Sequence, residues 1–306
     1  MPYDPRKARK DCVSGGGIQM MKGDMDLKIR QGRKKIEDAI KLHHGSTILA
    51  AGITSMVPGI TGIAAEAAGA KMLEISQNGI ALLQGLHGVK NRTEARKVSY
   101  QIPMSDMAKH TRGLRNVVSD DVFITISVPG VWTHTAPTPF FEEHALLLSY
   151  AGADGLHVHK STVEDYHGIA DLAHKYGMLI DAYISEPPKN IDVHASSYSG
   201  VPAATPKDIE ARVKELEDAG ADTIGLLTGK TYMGMKAGEI SPQMEERLLA
   251  LKSSAKVPTM VEGGITPDNA GGFKKLGVQI LVVGTAFDDV VKDAVIKFIQ
   301  KILVPL

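Results

Sequence analysis

The sequence holds a single cysteine, Cys12, in 306 residues. That excludes an intramolecular disulfide and a thiolate metal site, and it fits a reducing compartment, so a cytoplasmic protein is expected. Neither sign of charge is in excess, since 35 Lys and Arg balance 35 Asp and Glu. A nucleic-acid or membrane-surface partner would ordinarily leave a basic surplus, and the one basic run, Arg6 to Lys10, reads as a solvated tail. There is no apolar run of membrane-spanning length and no signal-peptide pattern at the start. With 43% hydrophobic and 23% charged residues, the composition is that of a soluble globular protein able to bury a full core.

What is present is a rhythm. Eight short apolar runs read as strands: 46–53, 71–76, 122–128, 155–160, 178–185, 222–228, 257–263 and 278–284. Amphipathic segments lie between them, several opening on Thr-Pro or Ser-Pro, an N-cap followed by a proline at the first helical position. Several close on glycine, at Gly152, Gly177, Gly220 and Gly277, and the phrase Ala-Gly-Ala-Asp occurs twice, at 151–154 and 219–222. Eight strand–helix units in about 260 residues predict a (β/α)8 barrel. An open doubly wound sheet would carry fewer strands and a glycine fingerprint after the first, which GITSMVPGITG is not. Residues 1–45 are expected as an arm and a charged helix that caps a barrel end or makes an oligomer contact, and 46–306 as the barrel. The second unit is the least regular. A loop over KNRTEARKVSYQIP and a helix from Met104 to Asn116 are expected there.

Two glycine turns end the seventh and eighth runs, Gly263-Gly264 and Gly284-Thr285. In a barrel, the loops after these strands and a nearby helix N-terminus recurrently hold phosphate, because turn N–H groups stay free and glycine allows close approach. Gly263, Gly264, Gly284 and Thr285, with a helix starting near Asp288, are the expected cradle. Val261-Glu262-Gly263-Gly264-Ile265 and Val282-Val283-Gly284-Thr285-Ala286 resemble the ribulose-phosphate-binding barrel superfamily of phosphosugar epimerases and decarboxylases. The resemblance is close over the last thirty or so residues of the barrel and elsewhere is a strand rhythm only. It implies a small phosphorylated metabolite as ligand. It also places Glu262 where the epimerases carry a metal-binding acid. Their strand-two His-x-Asp pair is missing, as is the decarboxylases' Asp-x-Lys-x-x-Asp on strand three.

Alternation along the runs turns Glu74, Ser76, Thr125, Ser127, His157, His159, Asp181, Tyr183 and Glu262 toward the barrel axis. Leu73, Ile75, Ile124, Ile126, Leu156, Val158, Ile180 and Ala182 then face the helices. Charges so placed are costly unless paired or functional. Glu74, His157, His159, Asp181 and Glu262 are the candidate acids and bases. His157, His159, Asp181 and Glu262 also form a candidate N/O site for a divalent ion, Mg²⁺, Mn²⁺ or Zn²⁺. The expected reaction is proton abstraction beside a carbonyl, as in an isomerase, epimerase or carbon–carbon lyase. Two alternatives stand beside it. Lys160, after HVH, or Lys230, in LLTGKTYMG, can serve a Schiff-base aldolase, and the barrel can bind a phosphometabolite without catalysis. A homo-oligomer is expected, with no nucleic-acid or membrane partner.

Overall fold

The computed structural model describes residues 22–128, 140–187, 200–228 and 240–303. All eight predicted strands are present: β1 (Thr47–Ala51), β2 (Met72–Ile75), β3 (Phe123–Ser127), β4 (Gly155–His157), β5 (Leu179–Ser185), β7 (Thr223–Leu227), β8 (Thr259–Glu262) and β9 (Ile280–Val283). A two-residue strand the periodicity did not show, β6 (Val201–Pro202), pairs only with the C-terminal end of β5. Every pairing is parallel, and the β4–β5 ladder closes the sheet into an eight-stranded barrel.

The helices are α1 (Lys22–Leu42), α2 (Ile63–Ala67), α3 (Gln77–Leu83), α4 (Arg92–Val98), α5 (Met104–Arg115), α6 (Glu142–Ala151), α7 (Val163–Lys175), α8 (Pro206–Asp218), α9 (Pro242–Ser254), α10 (Pro267–Lys275) and α11 (Thr285–Leu303). Thr205 and Ser241 cap α8 and α9, each accepting the N–H three residues on, with proline following at once. Gly152, Gly177, Gly220 and Gly277 all take positive φ, 74–97°, where the chain leaves a helix for the next strand. Among the described residues, no helix is long and apolar enough to cross a membrane.

The sheet separates two apolar layers. Leu73, Ile75, Ile124, Ile126, Leu156, Val158, Ile180 and Ala182 pack outward against the helices, as the alternation requires. Inside, Leu49, Met72, Phe123, Leu179, Met260 and Ile280 fill the N-terminal end, and Ile36, Ala39 and Ile40 of α1 plug it. Gly155 leaves room there, since a Cβ on it would stand 2.7 Å from the Phe123 ring.

The repeated Ala-Gly-Ala-Asp phrase does more than stop a helix. Asp154 accepts the Ile124 N–H (2.9 Å) and pairs with Arg115 (2.5 Å) and with Lys35 of α1 (2.7 Å). Asp222 repeats the pattern two units on, accepting the Ile180 N–H (3.0 Å) and pairing with His174 (2.8 Å) and with Arg33 of α1 (2.7 Å). Each aspartate ties a neighbouring strand, a neighbouring helix and the plug together. The charged segment expected as a cap or an oligomer contact is thus a cap on the barrel's N-terminal end.

Candidate functional site

Past the apolar plug, the inward positions turn polar toward the C-terminal ends of the strands, the face where barrels carry their sites. Ser127, His157 and Asp181 lie side by side in the ladder across β3, β4 and β5. Asp181 is buried beneath His157: its Oδ2 lies 3.2 Å from His157 Nδ1, and it accepts hydrogen bonds from Thr223 (2.6 Å) and Thr125 (3.4 Å). This fixes the imidazole's orientation and turns Nε2 toward the cavity. Tyr183, two residues on, stacks on His159 with ring centroids 4.5 Å apart, and its hydroxyl is 3.3 Å from His157 Nε2. Gly225 on β7 admits the Tyr183 ring, whose Cε1 would stand 2.5 Å from a Cβ there.

Glu262, at the end of β8, faces both histidines. Its Oε2 lies 3.4 Å from His157 Nε2 and 3.5 Å from His159 Nε2, and it is buried without a hydrogen-bond partner among the described residues. These gaps are longer than a good hydrogen bond. They are close to the edge of a tetrahedral site, where ligand atoms 2.0–2.1 Å from one ion stand about 3.4 Å apart. His157, His159 and Glu262 therefore fit a divalent cation, their ligand atoms all lying within 4.8 Å of one another. Asp181 falls outside that trio and supports it from behind.

The electrostatics are strongly coupled. Burial alone would push the His157 imidazolium down, but the Glu74 charge, the Asp181 contact and Glu262 together hold it well above its ordinary value. Burial would raise Glu262, yet His159, His157 and the more distant Arg96 bring it down to about 2. Glu74 goes the other way: burial raises it, only partly offset by His157 and by the Ser127 hydroxyl that donates to its Oε1. Burial, then the Glu262, Asp181 and Glu74 charges, keep the Tyr183 phenol well above 10 and so neutral.

The two glycine turns meet at this cavity. Gly263, Gly264 and Gly284 line it with Glu74, His157, His159 and Glu262. Gly263 and Gly264 take φ of 110° and 67°, the left-handed region that glycine reaches most easily. Thr285 is not in the lining. It opens α11, three residues before the expected start at Asp288, and its Oγ1 is buried without a hydrogen-bond partner among the described residues. Lys160 is buried just after β4, outside the cavity lining, and burial lowers its pKa. Lys230 lies outside the described residues, as do Trp132 and the loop around it.

The largest correction concerns residues 90–103. The expected loop contains α4, capped by Asn91, whose side chain accepts the Glu94 N–H (3.0 Å). Its two turns deliver Arg92 and Arg96 to the cavity. The Arg92 guanidinium grips Asp288 of α11 through Nε (2.8 Å) and Nη2 (3.0 Å) and lies against the turn at Gly284, 3.1 Å from where a Cβ would stand. The signal was legible, since Asn-x-x-Glu is an N-terminal helix signature and Arg92 and Arg96 are one helical turn apart.

The closed barrel defines the class of fold, and solved structures share it. A 2,3-dimethylmalate lyase of the PEP mutase/isocitrate lyase superfamily is similar over 90% of this chain and 86% of its own, with 16% identity and a TM-score of 0.55. The tryptophan synthase complex of Pyrococcus furiosus contains a chain similar over 81% of this one and 91% of its own, at 15% identity and TM-score 0.58. The tryptophan synthase alpha subunit of Legionella pneumophila gives 16% identity and TM-score 0.56 over 84% and 86% of the two chains. No protein-family model and no curated protein sequence matches the chain.

Proposed function

We propose that the protein is an enzyme that abstracts a proton beside the carbonyl of a small phosphorylated metabolite, as an isomerase, epimerase or carbon–carbon lyase does. One observation carries this reading: an ion-sized His/His/Glu cluster, a carboxyl raised by burial, two arginines and both glycine turns line one cavity. The free space among these side chains is about 30 Å³, room for an ion or a water or two, so the body of a substrate lies above them, toward the mouth.

His157, His159 and Glu262 would hold the divalent ion, which supplies positive charge against a substrate oxygen as negative charge develops there. Asp181 orients His157. Glu74 sits beside them with a pKa raised by burial, the direction that suits a carboxyl for proton transfer. Arg92, Arg96 and the N–H groups of the glycine turns receive the phosphate. The likeness of the two turns to the ribulose-phosphate-binding barrels supports this assignment.

Thermal-shift measurements against phosphosugars and carboxylate phosphates, each with and without Mg²⁺, Mn²⁺ or Zn²⁺, test it. A ligand of the native state must raise the melting temperature. Stabilisation by a phosphosugar is expected, and Gly284→Asp should remove it by setting a carboxylate against Arg92 in the anion's place. No shift with any phosphorylated compound would sink the reading. A second reading, a Schiff-base aldolase, rests on the buried Lys160 with its lowered pKa. Borohydride trapping of a substrate adduct on Lys160 would favour it.

A further inference from the structure

One bond of the β4–β5 ladder is made through a side chain. The two strands stay in register as far as His157 opposite Asp181, and the Val158 N–H still donates to the Asp181 carbonyl (3.1 Å). The next bond of a parallel ladder would run from the Tyr183 N–H to the Val158 carbonyl. The Tyr166 hydroxyl, reaching in from α7, stands in its place. It accepts from the Tyr183 N–H (3.0 Å) and donates to the Val158 carbonyl (2.8 Å). Two bonds now span what one of about 2.9 Å would, so the strands part at this rung. β5 keeps its ladder with β7 as far as Ile184, so it is β4 whose course changes. Tyr166 is buried, and burial holds its phenol far above the ordinary value, so the hydroxyl keeps the proton it donates.

That rung lies between the two histidines of the cavity. His157 is the last β4 residue in the ladder, and His159 is the second residue beyond it. On a straight strand, residues two apart stand about 6.6 Å from each other and their side chains run side by side. The His157 and His159 rings instead have centroids 4.7 Å apart at 60°, and both Nε2 atoms come within 3.4–3.5 Å of Glu262 Oε2. His159 also lies flat on Tyr183, at 9°, the residue whose N–H the Tyr166 hydroxyl takes.

We propose that Tyr166 is a positioning residue for the cavity: by replacing one β4–β5 bond, its hydroxyl turns the chain after His157 so that His159 converges with His157 on Glu262 and stacks on Tyr183. A direct bond there would carry β4 on straight and leave the two rings side by side, about 6.6 Å apart. Tyr166 does not line the cavity, so it acts through the backbone it holds. Packing alone would be met by a phenylalanine. A buried hydroxyl needs partners, and this one uses both its donor and its acceptor side on the two strands that carry the site.

Tyr166→Phe removes the hydroxyl and keeps the ring. Zn²⁺ calorimetry on the folded full chain should show affinity lower by about 10–100-fold, as loss of a group that orients a metal ligand does. Ile36→Ala, which weakens the plugged end, should leave that affinity unchanged, so stability alone does not account for the loss. This readout rests on the proposed metal site, and a second one needs no metal. The His159 ring protons lie over the face of Tyr183, so NMR should find them upfield in the wild type and shifted back downfield in Tyr166→Phe. Wild-type Zn²⁺ affinity in the variant overturns the proposal, and so do unmoved His159 resonances. If the wild type binds no divalent ion, the metal reading fails by itself and the His159 shift decides the role of Tyr166. Should Tyr166→Phe not fold, Tyr166→Leu, which leaves room for the direct ladder bond to close, is held to the same two outcomes.

Discussion

Two side chains whose pKa values move in opposite directions set the pH behaviour of the site. Glu262 is depressed from 4.5 to about 2. In the metal-free protein, its stabilising contribution is therefore complete above pH 4.5 and is lost as the pH falls toward 2. His157 is raised well above 6.5, so its contribution is complete below 6.5 and is lost as the pH rises through the raised value. Melting temperature against pH should accordingly fall on both sides. Glu262→Gln is expected to flatten the acid limb, by up to about 3 kcal/mol, and to shallow the alkaline one, because His157 loses a counter-charge. Unchanged limbs in that variant would mean that the two groups are not coupled. The sequence placed both residues on the inner face by alternation alone. It did not show that Asp181, equally inward and equally acidic, backs His157 at Nδ1 and stays out of the cluster with His159 and Glu262. That difference comes from the ladder, which pairs Asp181 with His157 on one side and Thr223 on the other, so its oxygens are already engaged.

At the scale of elements, the Ala-Gly-Ala-Asp repeats are joints. Asp222 is buried and accepts from a strand N–H, a histidine on α7 and an arginine on α1. Asp222→Ala leaves the buried Ile180 N–H without its acceptor and is expected to cost about 2–3 kcal/mol in urea unfolding. Asp38→Ala breaks the exposed Lys34–Asp38 pair on the same α1 and should cost under about 0.5 kcal/mol. Comparable losses from the two would contradict the joint. The aspartates were visible in the sequence as part of a helix stop. Their partners were not, since Arg33 and Asp222 are 189 residues apart. The α4 helix was missed for a different reason. Its seven residues carry too few apolar positions to show a helical period, and only its cap gave it away.

The whole molecule is polarised along the barrel axis. One end is plugged with Ile36, Ala39 and Ile40 over an apolar layer, and the other opens on histidines, carboxylates and arginines. Stability and site should therefore separate. Ile36→Ala, with Ile36 2% exposed, is expected to cost about 2–5 kcal/mol while leaving Zn²⁺ affinity of the folded protein, read by calorimetry, unchanged. A matching loss of affinity would mean the plug shapes the site. The sequence by itself determined the eight strands, their inward and outward faces, the helix ends and the two glycine turns. Each of these depends on periods and backbone preferences that act within a few residues. Tertiary structure alone decided that α4 brings Arg92 and Arg96 to those turns, that α1 plugs one end, and that α11 packs Phe287 and Val291 on the core while Phe298 and Ile302 stay exposed. These depend on contacts between segments far apart in the chain, which closure of the barrel brings together and no local pattern encodes.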